Sequence, residues 1–170
     1  MATNVSISTR YGTHLPALIK AMQKTTGDVL ELGIGVFSTP FLHYQCLLQN
    51  RKLVSYENCK PWFDIFTKKY GYNYGTHEMI FVEKYSDAQI DKPWNVVLID
   101  QTPDSSRREE IKRLANLAKY IIIHDSNDKH EKVYHYSEIY PLFKYRTIWN
   151  GDSNEATVLS NFHDLSDFWK

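Results

Sequence analysis

The sequence predicts an α/β protein built on a doubly wound, mostly parallel β-sheet that ends in an antiparallel hairpin. Short apolar runs alternate with longer segments of helical spacing, an order typical of βαβ units. The runs are continuously apolar rather than strictly alternating, as expected of strands buried on both faces of a parallel sheet. Near the C-terminal end, the turn signal Asn150-Gly151-Asp152 separates two further strand candidates, which favours a hairpin.

Each predicted element follows from its local pattern. The parallel strands are predicted at the apolar runs, and the hairpin strands follow them, at residues 29–32, 53–57, 79–83, 96–100, 120–124, 145–149 and 156–159. Helices are predicted where apolar residues recur at helical spacing, at 14–25, 39–49, 62–70, 108–117 and 133–142. Thr39 is a candidate N-cap with Pro40 in the first turn, and Gly27 and Pro141 are helix stop signals.

Length and charge narrow the class of protein. The chain has 170 residues with 20 Lys+Arg and 20 Asp+Glu, so its formal net charge is zero. This length predicts a single domain over residues 1–170, with its core at about 28–160. A neutral chain lacks the broad basic field that grips a phosphate backbone, so no nucleic-acid partner is expected. No apolar run has the length of a signal core or a membrane span, which predicts a cytoplasmic protein without a membrane partner.

Acidic residues recur where the predicted parallel strands end. They are Glu31, Glu57, Glu83, Asp100 and Asp125. Ligands of doubly wound sheets bind outside the carboxyl ends of the strands, near the switch in strand order. A row of carboxylates at that edge favours a cationic or polyhydroxyl ligand and repels a bare pyrophosphate.

The loop after the first strand has the features of a nucleoside-binding turn. Gly33 and Gly35 let the backbone turn tightly and approach a ligand closely. Ser38 stands where a dinucleotide fingerprint has its third glycine, so an NAD-linked oxidoreductase is a distant alternative. Glu57 follows Gly35 by 22 residues at the end of the next strand, where a carboxylate can accept both ribose hydroxyls.

At these motifs the chain resembles the class I S-adenosylmethionine-dependent methyltransferases, which have a Rossmann-like fold. The matching segments are Glu31-Leu32-Gly33-Ile34-Gly35, Tyr56-Glu57-Asn58, Ser86-Asp87-Ala88 and Leu98-Ile99-Asp100. The resemblance extends over roughly residues 28–160, and it includes the terminal hairpin. It implies that the cofactor is S-adenosyl-L-methionine.

The resemblance also implies a role for each matching residue. Glu31 would hold the amino group of the methionine moiety, and Glu57 the ribose hydroxyls. Asp87 would accept from the adenine amino group, with the backbone of Ala88 beside the ring. The full predicted cofactor set is Glu31, Gly33, Gly35, Ser38, Thr39, Glu57, Asn58, Asp87, Ala88 and Asp100.

Three residues are candidates for the catalytic step. Asp100, His124 and Asp125 all fall at the ends of adjacent predicted strands. Methyl transfer depends on positioning of the acceptor, and an acceptor that carries a proton also needs a nearby base. His124 is the candidate base, because its ordinary pKa is near neutrality.

A metal site is the alternative use of these carboxylates. Some small-molecule O-methyltransferases of this class hold a divalent ion with a carboxylate after strand four and an Asp-Asn pair after strand five. Here Asp100 and Asp125 could form a pair for a hard cation, but the next residue is Ser126 and the Asn is displaced to Asn127. His124, His130 and His135 match no zinc spacing. The sequence therefore predicts no metal.

The acceptor is predicted to be a small molecule, methylated on oxygen or nitrogen. Arg107 and Arg108 are candidate ligands for an anionic acceptor, and the segment 11–14 is expected to fold over the cofactor. Aromatic surface near the acceptor is expected from Trp62, Tyr134, Tyr136 and Trp149. Two other functions remain open: an adenosyl-ligand-binding module or sensor without turnover, and a related aminopropyl-type transferase.

Overall fold

A computed structural model describes residues 8–71, 75–103, 106–151 and 154–170. Its single sheet has seven strands, which are β1 Val29–Leu32, β2 Leu53–Glu57, β3 His77–Phe81, β4 Trp94–Ile99, β5 Ala118–Ile123, β6 Tyr145–Trp149 and β7 Ala156–Ser160. The α-helices are α1 Leu15–Gln23, α2 Ser38–Leu48, α3 Lys60–Tyr70, α4 Arg107–Leu114 and α5 Glu131–Tyr134. Short 3-10 turns lie at Thr9–Gly12, Tyr85–Asp87, Asp128–His130, Tyr136–Glu138 and Tyr140–Leu142.

The strand order confirms the predicted doubly wound fold. It is β3-β2-β1-β4-β5-β7-β6, so the chain reverses its direction of winding between β1 and β4. The first five strands pair in parallel, and Val29 of β1 lies between Leu53 of β2 and Val96 of β4. The hairpin of β6 and β7 adds antiparallel to β5. Ligands of such sheets bind at the carboxyl edge beside the reversal, here beside β1 and β4.

Both faces of the sheet are buried, which explains the continuously apolar strands. Leu30, Val97 and Ile121 belong to the hydrophobic cluster on one face, together with Ile111 of α4. Val29 and Leu98 belong to the cluster on the other face, beneath α1 and α2. Most residues of the central strands β1, β4 and β5 are therefore apolar on both faces, with the buried Glu31 of β1 as an exception.

Several predicted boundaries were wrong. The helix predicted at 133–142 is only the four-residue α5, because His135 takes a left-handed φ of 50° and 3-10 turns follow it. The predicted N-cap Thr39 lies inside α2, whose N-cap is Phe37 without a side-chain cap. β3 ends at Phe81, so Glu83 lies two residues beyond it. Asp152 of the predicted turn lies outside the described residues.

Among the residues that the structure describes, no helix combines the length and the apolar character needed to cross a membrane.

Candidate active site

Two adjoining clefts open at the carboxyl edge of the sheet. The first, which we call the glycine cleft, has a volume of about 600 Å³ and is lined by Gly33, Ile34, Glu57, Asn58, Cys59, Trp62, Asp100, Thr102 and Pro103. The second, the histidine cleft, has a volume of about 410 Å³ and is lined by Tyr11, Ile34, Gly35, Val36, Trp62, Asp100, Thr102, Arg107, His124, Asp125 and Tyr134. Their shared walls include Asp100 and Trp62, so a ligand in one cleft adjoins a ligand in the other.

The loop after β1 lies directly against the end of β4, and Gly33 makes this possible. Its φ is +91°, and a Cβ at this position would lie 2.6 Å from the backbone of Asp100 and Gln101. The Gly33 amide also donates to the carbonyl of Tyr56 at 3.0 Å. A side chain would both strain this backbone and separate the loop from β4, so the glycine is required for the floor of the glycine cleft.

Glu57 joins the loops that follow β1 and β2. Its Oε2 accepts from the Ile34 amide at 2.9 Å, and its Oε1 accepts from the amides of Asn58 and Cys59 at 3.0 and 2.7 Å. The side chain is buried yet lines the glycine cleft. The sequence did not indicate this bracing role. Recognition of ribose hydroxyls by Glu57 stays a prediction, and it would use the remaining acceptor capacity of the carboxylate.

Glu31 is fully buried and lines neither cleft. Thr39 donates to its Oε1 at 2.9 Å, and Ser55 donates to its Oε2 at 2.6 Å. Burial raises the pKa of the Glu31 carboxyl to about 7, although these hydroxyl groups oppose the rise. The expected open row of carboxylates is therefore wrong at this position. The predicted contact of Glu31 with an amino group stays a prediction.

Asp100 forms the centre of a charged cluster shared by both clefts. Its Oδ1 accepts from Arg107 Nη2 at 3.1 Å and from His124 Nδ1 at 3.0 Å. Burial alone would raise the pKa of Asp100, but the hydrogen bond and charge of His124 and the charge of Arg107 lower it below its ordinary value. Burial lowers the pKa of His124, and the hydrogen bond and charge of Asp100 raise it by more. The carboxylate is therefore ionised and holds the proton of His124 at Nδ1.

The segment before α1 covers the other side of the His124 ring, and the predicted folding of residues 11–14 over the cofactor stays a prediction. Thr13 Oγ1 lies 3.0 Å from His124 Nε2. The His14 ring packs edge-on against His124 with 4.7 Å between ring centroids. Burial lowers the pKa of His14 to about 4, so this imidazole is neutral. Tyr11 is largely exposed at the mouth of the histidine cleft. The sequence placed Thr13 and His14 in a segment over the cofactor, but nothing in their local pattern indicated their contacts with His124.

Asp125 turns its carboxylate toward the same cleft. Its backbone has a left-handed φ of 53°, and its Oδ1 accepts from Asn154 Nδ2 at 2.6 Å and lies 3.7 Å from His124 Nε2. Among the described residues, the ligand atoms of His14, Asp100 and His124 lie within 4.8 Å of one another, a spacing that could admit a metal ion. Two of these residues are already hydrogen-bonded to each other, and Arg107 opposes a cation there. The absence of a metal stays a prediction.

The two arginines after β4 both have partners within the protein, and Arg107 also lines the histidine cleft, so their predicted role toward an acceptor stays a prediction. Arg107 is buried beneath the cleft, where it donates to the carbonyl of Gln101 at 2.8 Å as well as to Asp100. Arg108 pairs with Glu138 at 2.6 Å. Because residues at the start of a helix are commonly solvated, the sequence alone did not indicate that Arg107 supports Asp100.

The predicted aromatic residues divide into two groups. Trp62 and Tyr134 line the histidine cleft, and Trp62 Nε1 donates to the carbonyl of Ile34 at 2.7 Å. Tyr136 is buried behind Arg107, and Trp149 packs on Trp169 with 5.2 Å between ring centroids. Neither residue lines a cleft, although both were expected near the acceptor.

The remaining predicted cofactor residues lie outside both clefts. Asp87 ends the 3-10 turn Tyr85–Asp87 that follows β3 and is exposed, whereas Ala88 next to it is buried. Ser38 and Thr39 are buried in the first turn of α2, behind Gly35. Their roles toward a cofactor stay predictions.

No protein-family model and no curated protein sequence matches the chain. Solved structures do resemble it. Cofactor-bound Rv0187 from MTB has 16% sequence identity and a TM-score of 0.66, with 94% of this chain and 84% of that chain covered. The O-methyltransferase from Bacillus cereus in complex with SAH has 15% identity and a TM-score of 0.60, with 91% and 82% covered. Human methyltransferase-like protein 13 in complex with SAH has 13% identity and a TM-score of 0.60, with 89% and 79% covered.

At these identities the likeness concerns the fold. Strand order, the antiparallel hairpin and the glycine loop all agree with it. The chain therefore has the Rossmann-like fold of the class I methyltransferases, as its motifs indicated.

Proposed function

We propose that the chain is an S-adenosylmethionine-dependent methyltransferase that acts on an oxygen or nitrogen atom of a small-molecule acceptor. The observation that carries the proposal is the junction of two clefts at Asp100. The glycine cleft contains Gly33, Glu57 and Asn58 of the predicted cofactor set, and the histidine cleft contains the candidate base His124. Bound cofactor and bound acceptor would therefore adjoin. The likeness to methyltransferase structures supports the same function.

The residues of the cleft suit the two parts of the reaction. The cofactor supplies a methyl group on a sulfonium sulfur; the C–S bond breaks as the methyl carbon bonds to the acceptor atom. Gly33 would bring the loop backbone beneath the cofactor, and Glu57 and Asn58 would border its ribose end. Positioning of the acceptor supplies much of the rate of such a displacement. The histidine cleft, at about 410 Å³, suits a small acceptor.

His124 would receive the acceptor's proton. Asp100 holds the Nδ1 proton, so Nε2 of the neutral ring presents a lone pair toward the cleft. Thr13 Oγ1 at 3.0 Å shows that a hydroxyl group fits against this nitrogen. An acceptor hydroxyl or amine would replace Thr13 there and lose its proton as the methyl group arrives.

The proposal is tested by binding and turnover measurements on the purified protein. Calorimetry is expected to detect binding of S-adenosylmethionine and S-adenosylhomocysteine to the protein, with NAD bound more weakly or not at all. Glu57→Gln is expected to weaken the binding of both adenosyl ligands by about 1–3 kcal/mol. With an acceptor library, formation of S-adenosylhomocysteine is expected to fall 100-fold or more in His124→Gln, on the order of a lost general base.

His163→Gln is the matched control, because His163 is exposed and stacks on Tyr120 outside both clefts. Tighter binding of NAD, or no binding of either adenosyl ligand, would contradict the proposal. Binding without turnover of any acceptor would instead indicate a sensor, and turnover only with a decarboxylated cofactor would indicate an aminopropyl-type transferase.

A further inference from the structure

A chain of hydrogen bonds leads from the glycine loop into the interior of the sheet. The Gly35 amide donates to Thr39 Oγ1 at 3.0 Å, and Thr39 Oγ1 donates to Glu31 Oε1 at 2.9 Å. On its other side, Glu31 Oε2 lies 2.6 Å from Ser55 Oγ on β2. The carboxyl group of Glu31 is thus linked to the backbone of the loop that lines the histidine cleft at Gly35.

Two histidines extend the chain away from the cleft. Ser55 Oγ lies 2.9 Å from Nε2 of His77, on β3. Nδ1 of His77 lies 3.0 Å from Nδ1 of His43, on α2. We call the residues Glu31, Ser55, His77 and His43 the Glu31 chain. Each contact joins one potential proton donor to one acceptor, and every member has both capacities.

The Glu31 chain admits two complete arrangements of protons. With Glu31 protonated, each group donates outward: Glu31 to Ser55, Ser55 to His77 Nε2, and His77 Nδ1 to His43 Nδ1, with the His43 proton at Nε2. With Glu31 ionised, all the donors are reversed, and both imidazoles are still neutral. Conversion moves one proton at each contact. The last proton would leave from Nε2 of His43, a residue that is 4% exposed, to water or buffer. Since both histidines are neutral in the two end arrangements, a concerted shift along this route can carry a proton out of the buried carboxyl group without charging either ring.

The surroundings leave Glu31 as the member that titrates near neutral pH. Burial lowers the pKa of His43 and lowers that of His77 to about 3, so both rings stay neutral. Burial raises the pKa of Cys46 to about 12 and that of Tyr85 well above its ordinary value, so these neighbours also stay neutral. Other described groups that face the chain are Ser38 and Thr39 of α2, Asp100 after β4, and the rings of Tyr44 and Tyr70 beside His43.

We propose that Glu31 gives up its proton through Ser55, His77 and His43 when a cationic ligand enters the adjoining clefts, and recovers it when the ligand loses its charge. This inference rests on the proposed function, because the cofactor's sulfur is a cation before transfer and a neutral thioether afterwards. As a consequence, the protein would bind the sulfonium form of the cofactor more tightly than the thioether product. Ser55, His77 and His43 act as positioning residues through Glu31 and do not touch the ligand.

Electrostatic coupling between Glu31 and the clefts supports this role. Asp100 lines both clefts, and its negative charge contributes to the raised pKa of Glu31. A positive charge beside Asp100 would act in the opposite sense and favour the ionised carboxylate. Ionised Glu31 in turn attracts the sulfonium, and the low dielectric of the interior strengthens the attraction. After transfer the attraction is gone, and Glu31 is reprotonated.

Proton release on ligand binding tests the coupling. Calorimetric titrations at pH 7 in buffers of different ionisation enthalpy give the number of protons released per ligand. We expect about half a proton for S-adenosylmethionine, because Glu31 is about half ionised at this pH. The uncharged sulfur of S-adenosylhomocysteine makes it the matched control, with release near zero. In Glu31→Gln, S-adenosylmethionine should still bind without releasing protons, and its preference over S-adenosylhomocysteine should fall about tenfold.

The route itself is tested by kinetics. In stopped-flow mixing with a pH indicator, proton release should accompany ligand binding in the unmodified protein. It should lag behind binding in His77→Phe and in Ser55→Ala, which interrupt the route at different contacts, but not in the control His163→Phe. Release in step with binding in both interrupted variants would overturn the route. Binding of both ligands without any proton release would overturn this inference alone. Failure of both ligands to bind would contradict the proposed function, and this inference with it.

Discussion

Glu31 and Asp100 lie near the same end of the paired strands β1 and β4, but their surroundings differ. Asp100 has two nitrogen donors, Arg107 and His124, and its pKa is lowered. Among the described residues, the hydrogen-bond donors to Glu31 are the hydroxyl groups of Thr39 and Ser55, and burial raises its pKa to about 7. A buried carboxylate stays ionised where a cation compensates its desolvation, and it retains its proton where only neutral donors are present. The fold thus places a permanent charge and a switchable charge side by side.

Removal of the compensating cation should have the largest effect. In Arg107→Met, Asp100 loses its ion pair with the buried Arg107 and keeps the hydrogen bond from His124, and we expect the free energy of unfolding to fall by about 3–5 kcal/mol. Urea denaturation followed by circular dichroism measures this loss. The double variant Arg107→Met, Asp100→Asn removes the uncompensated charge and should recover most of it.

Arg108→Met is the matched control for this prediction. Arg108 pairs with Glu138 at 2.6 Å, but Glu138 is 55% exposed, and such pairs contribute about 1 kcal/mol or less. Equal losses in the two arginine variants would show that the burial of the Asp100 pair has no energetic consequence, and the contrast with Glu31 would then fail.

Glu31→Gln should raise the free energy of unfolding, by less than Arg107→Met lowers it and by an amount that depends on pH. The folded-state pKa of about 7 lies above the ordinary value of 4.5, so the folded protein binds more protons than the unfolded chain between these values. Glu31 therefore makes the wild type lose stability as the pH rises through this range, by about 3 kcal/mol. Gln keeps one acceptor and one donor for Thr39 and Ser55 without the charge. Its unfolding free energy relative to wild type should therefore rise between pH 4.5 and pH 7.

Denaturation curves for both proteins at several pH values measure this difference. The comparison within one pair of proteins cancels the other titrating groups, which are common to both. A constant difference from pH 4.5 to pH 8 would mean that Glu31 titrates normally, and the distinction between the two carboxylates would be lost.

The strand ends could be read from the sequence, but the partners of the two carboxylates could not. Asp100 and His124 directly follow neighbouring parallel strands, so topology alone predicts that they meet. Arg107 comes from a helix start, and its burial depends on how α4 packs on the sheet. Strand residues alternate between faces, and here both faces are buried, so no pattern indicated that Glu31 points inward. The link from Ser55 to His77 and His43 depends on tertiary packing across three elements.

The neighbouring histidines His124 and His14 also differ in their partners, and substitution of His14 should change the unfolding free energy least at neutral pH. His124 is bonded to Asp100, whereas neither ring nitrogen of His14 has a hydrogen-bond partner among the described residues. A buried polar group without a partner costs about 1–3 kcal/mol. We therefore expect His14→Leu to keep or raise the unfolding free energy at pH 7, by about 1 kcal/mol. His124→Leu should lower it, because Asp100 loses one of its two nitrogen donors and keeps only Arg107.

The two histidine variants should also separate by their acid dependence. The pKa of His14 is lowered from 6.5 to about 4, so the unfolded chain binds its proton first and wild-type stability is lost as the pH falls through this range. His14→Leu should remove that loss. The pKa of His124 is raised, so its contribution is complete below its ordinary pKa and declines as the pH rises through the folded-state value. Denaturation curves from pH 4 to pH 8 measure both slopes. If the unfolding free energies of His14→Leu and wild type changed with pH in parallel, burial would not lower the pKa of His14. The contrast between His14 and the Asp100-bonded His124 would then be lost.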